Sequence, residues 1–218
     1  VANNWFIGES IGIIYDYQKI GIWQDTPADQ EQIALFNANG SQFAPGKIKV
    51  KDQNNDYRID GNYDRVIIGN TRPRWTLGFI NTFNYKGVEL SMFITGRLKY
   101  MTGVGQGLTG MYGDQRKLDY WTPDNTDAEY QRPFMSEAGG DTYAGTYYKD
   151  DSWIKIRNIS LGYQLPASLV NRVNINSLRV FAQIQNAGML WSNNTFMDSE
   201  YGTMYYNRGF VFGVNVGF

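Results

Sequence analysis

Across its second half the chain alternates apolar and polar residues with a period of two. Between residues 75 and 84 the odd positions Trp75, Leu77, Phe79 and Phe83 are apolar, Thr76, Gly78 and Thr82 are small or polar, and Ile80 is the exception. Successive side chains of an extended strand point to opposite faces, so this pattern predicts a strand with one oily face. A short turn at Tyr85-Lys86-Gly87 precedes a second run, with Val88, Leu90, Met92 and Ile94 opposite Glu89, Ser91, Thr95 and Arg97. Residues 178–186 set Leu178, Val180, Ala182 and Ile184 against Arg179, Gln183 and Gln185. The chain ends on Phe210, Phe212, Val214, Val216 and Phe218, interleaved with Val211, Gly213, Asn215 and Gly217. Residues 153–165 change phase: Ile154 and Ile156 share one parity, and Ile159, Leu161, Tyr163 and Leu165 the other. A bulge near Arg157-Asn158 would bring all of them to one face.

One helix is predicted in the first part, over residues 27–38. Thr26 suits an N-cap, Pro27 the first helical position and Asp29 the position three after the cap. Ile33 and Phe36 share a face, and Gly40 ends the run. The remainder of 1–73 reads as loop with short strands. Residues 74–97 form a hairpin, 98–152 a long loop and 153–218 the last three strands. Short and long connections thus alternate, as in an up-and-down membrane barrel. The oily faces run for about the 9–11 residues that a tilted membrane strand needs. Trp75, Tyr85, Tyr100, Trp153 and Tyr163 stand near strand ends, where interfacial aromatic girdles belong. A soluble β-sandwich shares the alternation, but it does not call for a wet wall of Glu, Arg, Thr, Gln and Asn on the second face. Five strands cannot close a membrane barrel, and an open edge in lipid would leave amides unpaired. Further strands are therefore expected from outside these residues. The start at Val1 is read as that of a mature product or a piece of a longer chain.

Composition narrows the chemistry. With no His and no Cys, imidazole acid–base catalysis, His-zinc sites and thiolate ligation are excluded. The net charge of -1 gives no basic field, so nucleic acid is not an expected partner. Aromatics make up 16% of the residues and Gly is frequent, which favours strands and turns over a helical bundle.

Several segments, taken in order, carry a resemblance to a family. They are Gly8-Glu9-Ser10-Ile11-Gly12 with Tyr15-Asp16-Tyr17 and Gly21-Ile22-Trp23-Gln24; Ala44-Pro45-Gly46-Lys47-Ile48-Lys49 with the Asp-rich stretch after it; Ile68-Gly69-Asn70 with Pro73; Tyr120-Trp121-Thr122-Pro123-Asp124-Asn125; and Asp151-Ser152-Trp153 through Tyr163 with Pro166. The chain resembles the C-terminal part of SusC/RagA-type TonB-dependent outer-membrane transporters. The resemblance implies an all-β fold: the C-terminal strands and long extracellular loops of a large antiparallel transmembrane β-barrel, incomplete on its own. It implies a location in the bacterial outer membrane and import of oligosaccharides or peptides, without enzyme activity. The implied partners are the rest of the barrel and its plug, a SusD-like surface lipoprotein, TonB through a missing N-terminal part, outer-membrane lipid, and the barrel-assembly machinery, which would recognise the terminal Phe218. The competing expectation is a soluble, calcium-stabilised carbohydrate-binding β-module.

Candidate sites follow. Asp52, Asn54, Asp56, the Arg58 carbonyl and Asp60 place oxygens at positions 1, 3, 5, 7 and 9 of a loop, the arrangement a Ca²⁺ ion takes, with Asp64 as the last carboxylate. Tyr57 stands where such loops use Gly, Asp64 is one residue late, and a solvated Asx-rich turn gives the same spacing. Tyr112, Tyr120, Trp121, Tyr147, Tyr148 and Trp191 are candidates for stacking on a sugar or peptide, with loop packing as the plainer role. Gly105-Gln106-Gly107-Leu108-Thr109-Gly110 matches a dinucleotide fingerprint in letters only, because no helix pattern follows it. Glu89, Arg97, Arg157 and Arg179 are expected on the wet face.

Overall fold

The structure, a computed structural model, describes residues 5–103, 119–133, 142–143, 146–194, 200 and 207–218. It divides into two compact units: residues 1–72 with 101–149, and residues 73–100 with 150–218.

The second unit is one antiparallel sheet. Its strands are β5 (Trp75–Tyr85), β6 (Val88–Leu98), β9 (Trp153–Gln164), β10 (Ser177–Ser192) and β11 (Gly209–Gly217), in the order β11-β10-β9-β6-β5. The register aligns the oily positions into rows. One row is Phe83, Leu90, Leu161, Ala182 and Phe212; the next is Asn81, Met92, Ile159, Ile184 and Phe210. The bulge lies where the phase change predicts it. Asn158 pairs with Phe93 and Ile156 with Ile94, so Arg157 is the extra residue that keeps both halves of β9 in phase with β6. Strand β10 runs six residues past Asn186 to Ser192, and its register slips between Gln185 and Gly188, where Asn186 has a φ of 52°.

Among the described residues, nothing of this unit lies over the oily face. Leu77 is 45% exposed, Phe83 61%, Leu161 51%, Phe212 78% and Val214 60%. Val170, in the connection from β9 to β10, is buried, and most other burial in the unit lies at the opposite end of the sheet, around Trp153. Its indole N–H donates to the Tyr100 hydroxyl at 3.0 Å, and the buried Asn194 amide donates to Asp151 Oδ1 at 2.9 Å.

On the opposite face, glycine makes room for long side chains. The Arg179 guanidinium lies across Gly162, where a Cβ would stand 2.8 Å from it, and reaches Glu89 Oε1 at 2.5 Å. Phe181 lies likewise over Gly213, where a Cβ would meet its ring at 2.3 Å.

The first unit is built from short pieces. β1 (Ile13–Tyr17) pairs with β4 (Arg65–Asn70), and β2 (Lys19–Ile22) with β3 (Ile48–Val50). Helix α1 (Pro27–Ala38) starts at Thr26, whose hydroxyl accepts from Asp29 N at 3.3 Å. Its buried side, Ile33 and Phe36, meets Trp23 and Phe43. The Trp23–Phe36, Trp23–Phe43 and Phe36–Phe43 ring centroids are 5.9, 5.3 and 5.5 Å apart. Asp29 closes this core: one oxygen accepts from Gln24 N at 2.8 Å, and the other holds Lys49 at 2.8 Å, with the Lys49 ammonium 4.0 Å from the Trp23 ring centroid. The remaining elements are β7 (Met101–Gly103), β8 (Tyr148–Asp150) and a short helix α2 (Ala167–Val170) followed by a 3-10 turn (Asn171–Val173).

Candidate functional site

Two surfaces bear on function: the oily face of the five-stranded sheet, and the aromatic and charged body of the first unit. On the sheet, Trp75 and Tyr85 stand at the two ends of β5, and Tyr163 lies in the row of Tyr85 and Val88. Ten steps of about 3.3 Å, tilted about 40°, separate the two ends by roughly 25 Å along the barrel axis, the height of a membrane barrel's apolar band. The opposite face carries Glu89, Ser91, Thr95, Arg97, Gln183 and Arg179, with Lys155 fully buried. Lys155 and Arg157 both form ion pairs with Glu200. An oily outer band and a charged inner wall, on strands whose edges are open, define a section of an antiparallel transmembrane β-barrel.

In the first unit the Asp-rich loop is held by its own carboxylates. Asp52 accepts from the N–H groups of Asn55 (2.7 Å) and Tyr57 (2.8 Å), and Asp56 from Arg58 N at 2.8 Å. Asn54 accepts from Asp56 N at 3.3 Å and donates to Asp56 Oδ2 at 2.8 Å. Asp60 accepts from Asn62 N (2.8 Å) and Tyr63 N (3.1 Å). Asp64, with no exposed surface, accepts from Gln53 N and Asp60 N at 2.8 Å each. Tyr57 makes the sharp turn without glycine, at a φ of 59°. Among the described residues no three acidic groups are gathered so as to share a cation.

The aromatic candidates separate. Trp121 and Tyr147 are buried: Trp121 donates to Gln24 Oε1 at 2.7 Å, and the Tyr147 hydroxyl accepts from Gln131 N at 2.7 Å. Tyr148 donates to Asp16 Oδ2 at 2.7 Å. Its phenol is pushed up to about 12 by burial and by that carboxylate. Tyr120 is exposed. Trp191 is exposed too, but on β10 opposite Ile154 rather than in the loop after it. Phe218 is exposed. Tyr112 and the Gly105–Gly110 segment lie outside the described residues.

A charged cluster escapes the sequence reading because its members are far apart along the chain. Lys19 donates to the Glu129 carbonyl at 2.8 Å and sits 3.9 Å from the Tyr147 ring centroid. Lys149 pairs with Glu129 Oε1 at 2.5 Å and donates to the Tyr130 hydroxyl at 2.9 Å. Burial, then the Lys149 charge, lowers Lys19 to about 8, with the Glu129 charge partly opposing. Burial works against the charge on Lys149 as well, but its bonds to Glu129 and Tyr130 outweigh that and raise its pKa. For Lys19 the folded value lies below the unfolded 10.5, so the cost of burying its charge is fully present below pH 8 and fades between pH 8 and 10.5. Site-resolved NMR of the lysine ammonium groups should therefore show Lys19 titrating near pH 8; a midpoint above pH 10 would contradict this placement.

No family model matches the chain. Three curated relatives do, along most of its length, all from Formosa agariphila: TonB-dependent receptor P3 at 26% identity over 97% of the chain, P26 at 27% over 89%, and P39 at 27% over 93%. The chain spans about a fifth of their length, 20–23%. Among solved structures, the RagAB peptide importer in the open-open state superposes over 99% of the chain and 25% of its own, with a TM-score of 0.66 and 18% identity. A second RagAB peptide transporter structure covers 94% at a TM-score of 0.61 and 17% identity. The barrel section is thus similar to part of TonB-dependent receptors. Over nearly its whole length the chain has the fold of about a quarter of the RagAB importer.

Proposed function

We propose that the whole protein imports oligosaccharides or peptides across the outer membrane, driven by TonB and loaded with the help of a SusD-like surface lipoprotein. This chain contributes barrel wall and extracellular loops, and performs no bond chemistry. The observation that carries the reading is the oily face, exposed across all five strands while both edge strands lack a partner among the described residues. Hydrocarbon satisfies that face, and further strands of the same polypeptide satisfy the edges. The likeness to TonB-dependent receptors and to the RagAB peptide importer supports the transport class. The barrel-assembly machinery would read the exposed Phe218 before insertion.

Deleting the protein should abolish uptake of one class of oligosaccharide or peptide, and deleting TonB should reproduce that loss. Unchanged uptake of all candidates would overturn the proposal. A soluble carbohydrate-binding module is the rival; it predicts a monodisperse protein without detergent, whereas the barrel predicts aggregation once detergent is withdrawn.

The loop from Asp52 to Asp64 has two readings. Its oxygen spacing supports a structural Ca²⁺ ion, and its carboxylate-to-backbone bonds support a turn that closes unaided. Calcium would protect the loop from trypsin and EDTA would remove the protection. Equal cleavage with calcium and with EDTA leaves the self-closed turn.

A further inference from the structure

A cavity of about 340 Å³ opens in the first unit between α1, β2 and the Asp52–Asp64 loop. That is near the lower end of the size range of ligand pockets, enough for one residue-sized molecule rather than an oligomer. Its walls are apolar and aromatic: Ile20, Tyr57 and the edge of Phe36, with the enclosed Trp23 behind them. The Tyr57 wall is built on purpose by the loop. Asp52 binds the N–H groups of both Asn55 and Tyr57, which fixes Tyr57 at a φ of 59° and sets its ring edge-on to Phe36, centroids 5.6 Å apart. A left-handed conformation is disfavoured in a bulky residue, so the ring is held there against its backbone preference.

Opposite charges line the same cavity. Lys49 is engaged with Asp29 and the Trp23 ring. Lys51 also lines the cavity, is exposed, and forms no ion pair among the described residues. Its neighbour Asp52 is half-buried, and each of its oxygens accepts one backbone N–H, which leaves lone pairs on both. A cation and an anion side by side, above an aromatic-walled hollow, complement a molecule that carries both charges on an apolar body.

We propose that this cavity binds a zwitterionic amino acid with an apolar or aromatic side chain. The carboxylate lies against Lys51, the ammonium against Asp52, and the side chain against Ile20, Tyr57 and the edge of Phe36. The inference does not depend on what the barrel imports, since its test reads binding and not uptake.

The test uses the purified protein in detergent and three probes: L-phenylalanine, 3-phenylpropionate, which has only the carboxylate, and phenethylamine, which has only the ammonium. Calorimetry should show saturable binding of L-phenylalanine at least about tenfold tighter than either half-molecule, tenfold being 1.4 kcal/mol. Lys51→Gln should weaken L-phenylalanine about tenfold and leave phenethylamine unchanged. Tyr57→Gly removes the wall while relieving the left-handed backbone, so it should abolish binding of all three with trypsin resistance retained. The proposal is overturned if L-phenylalanine shows no saturable binding, if either half-molecule binds as well as the whole, or if Lys51→Gln changes nothing.

Discussion

Replacing Ile159 with arginine should destabilise the folded protein by about 2–4 kcal/mol, the cost of a cationic side chain on the lipid face near the bilayer midplane. Ile159 sits midway between the aromatic ends of the sheet, in a row with Met92 and Ile184 on the neighbouring strands. Both neighbours are strands of the same sheet, so the arginine cannot turn to a polar edge. Gln183→Arg places the same side chain on the opposite, charged face, on the strand next to β9, and should cost about 1 kcal/mol or less. Urea unfolding in lipid bilayers, followed by tryptophan fluorescence, measures both. Equal costs for the two variants would mean that the faces do not differ in their solvent.

The second large effect is expected in the first unit. Trp23→Ala should cost about 3–5 kcal/mol, as removal of a fully enclosed large aromatic does. Trp23 has no exposed surface, and it holds Phe36, Phe43 and the Lys49 ammonium in contact. Its loss frees the inner side of α1 and removes the seat of the Asp29–Lys49 pair. Hydrogen exchange should then accelerate in α1 and in the β2–β3 pair. Unchanged protection there would show that α1 is held by something other than this aromatic cluster.

The sheet was legible in the sequence because lipid on one face and polar groups on the other impose a strict period of two. Even the bulge at Arg157 could be read, since one extra residue reverses the parity of every oily position beyond it. The end of β10 could not. From Ala187 to Trp191 small and apolar residues follow one another without alternation, and Asn186 takes a left-handed turn that slips the register. The first unit was less legible for a different reason. Its core joins Trp23, Phe36 and Phe43 through ring contacts that no short-range period announces. Aromatic residues that pack inward also look, in sequence, like those that meet a ligand: Trp121 and Tyr147 are buried, whereas Tyr120 and Trp191 are exposed. The Asp-rich loop shows the same ambiguity, since oxygens spaced for a cation are equally spaced to cap backbone N–H groups. The Lys19–Glu129–Lys149 cluster had no sequence signal, because 110 residues separate Lys19 from Glu129.

Spin labels placed one at a time at residues 159, 160, 161, 163 and 164, on the protein in bilayers, test the lipid-facing wall most directly. Oxygen, which partitions into hydrocarbon, should reach labels at 159, 161 and 163 far better than a polar nickel chelate does, with the preference reversed at 160 and 164. Uniformly low access to both reagents at 159, 161 and 163 would place those residues in a protein interior, and the wall reading would fail.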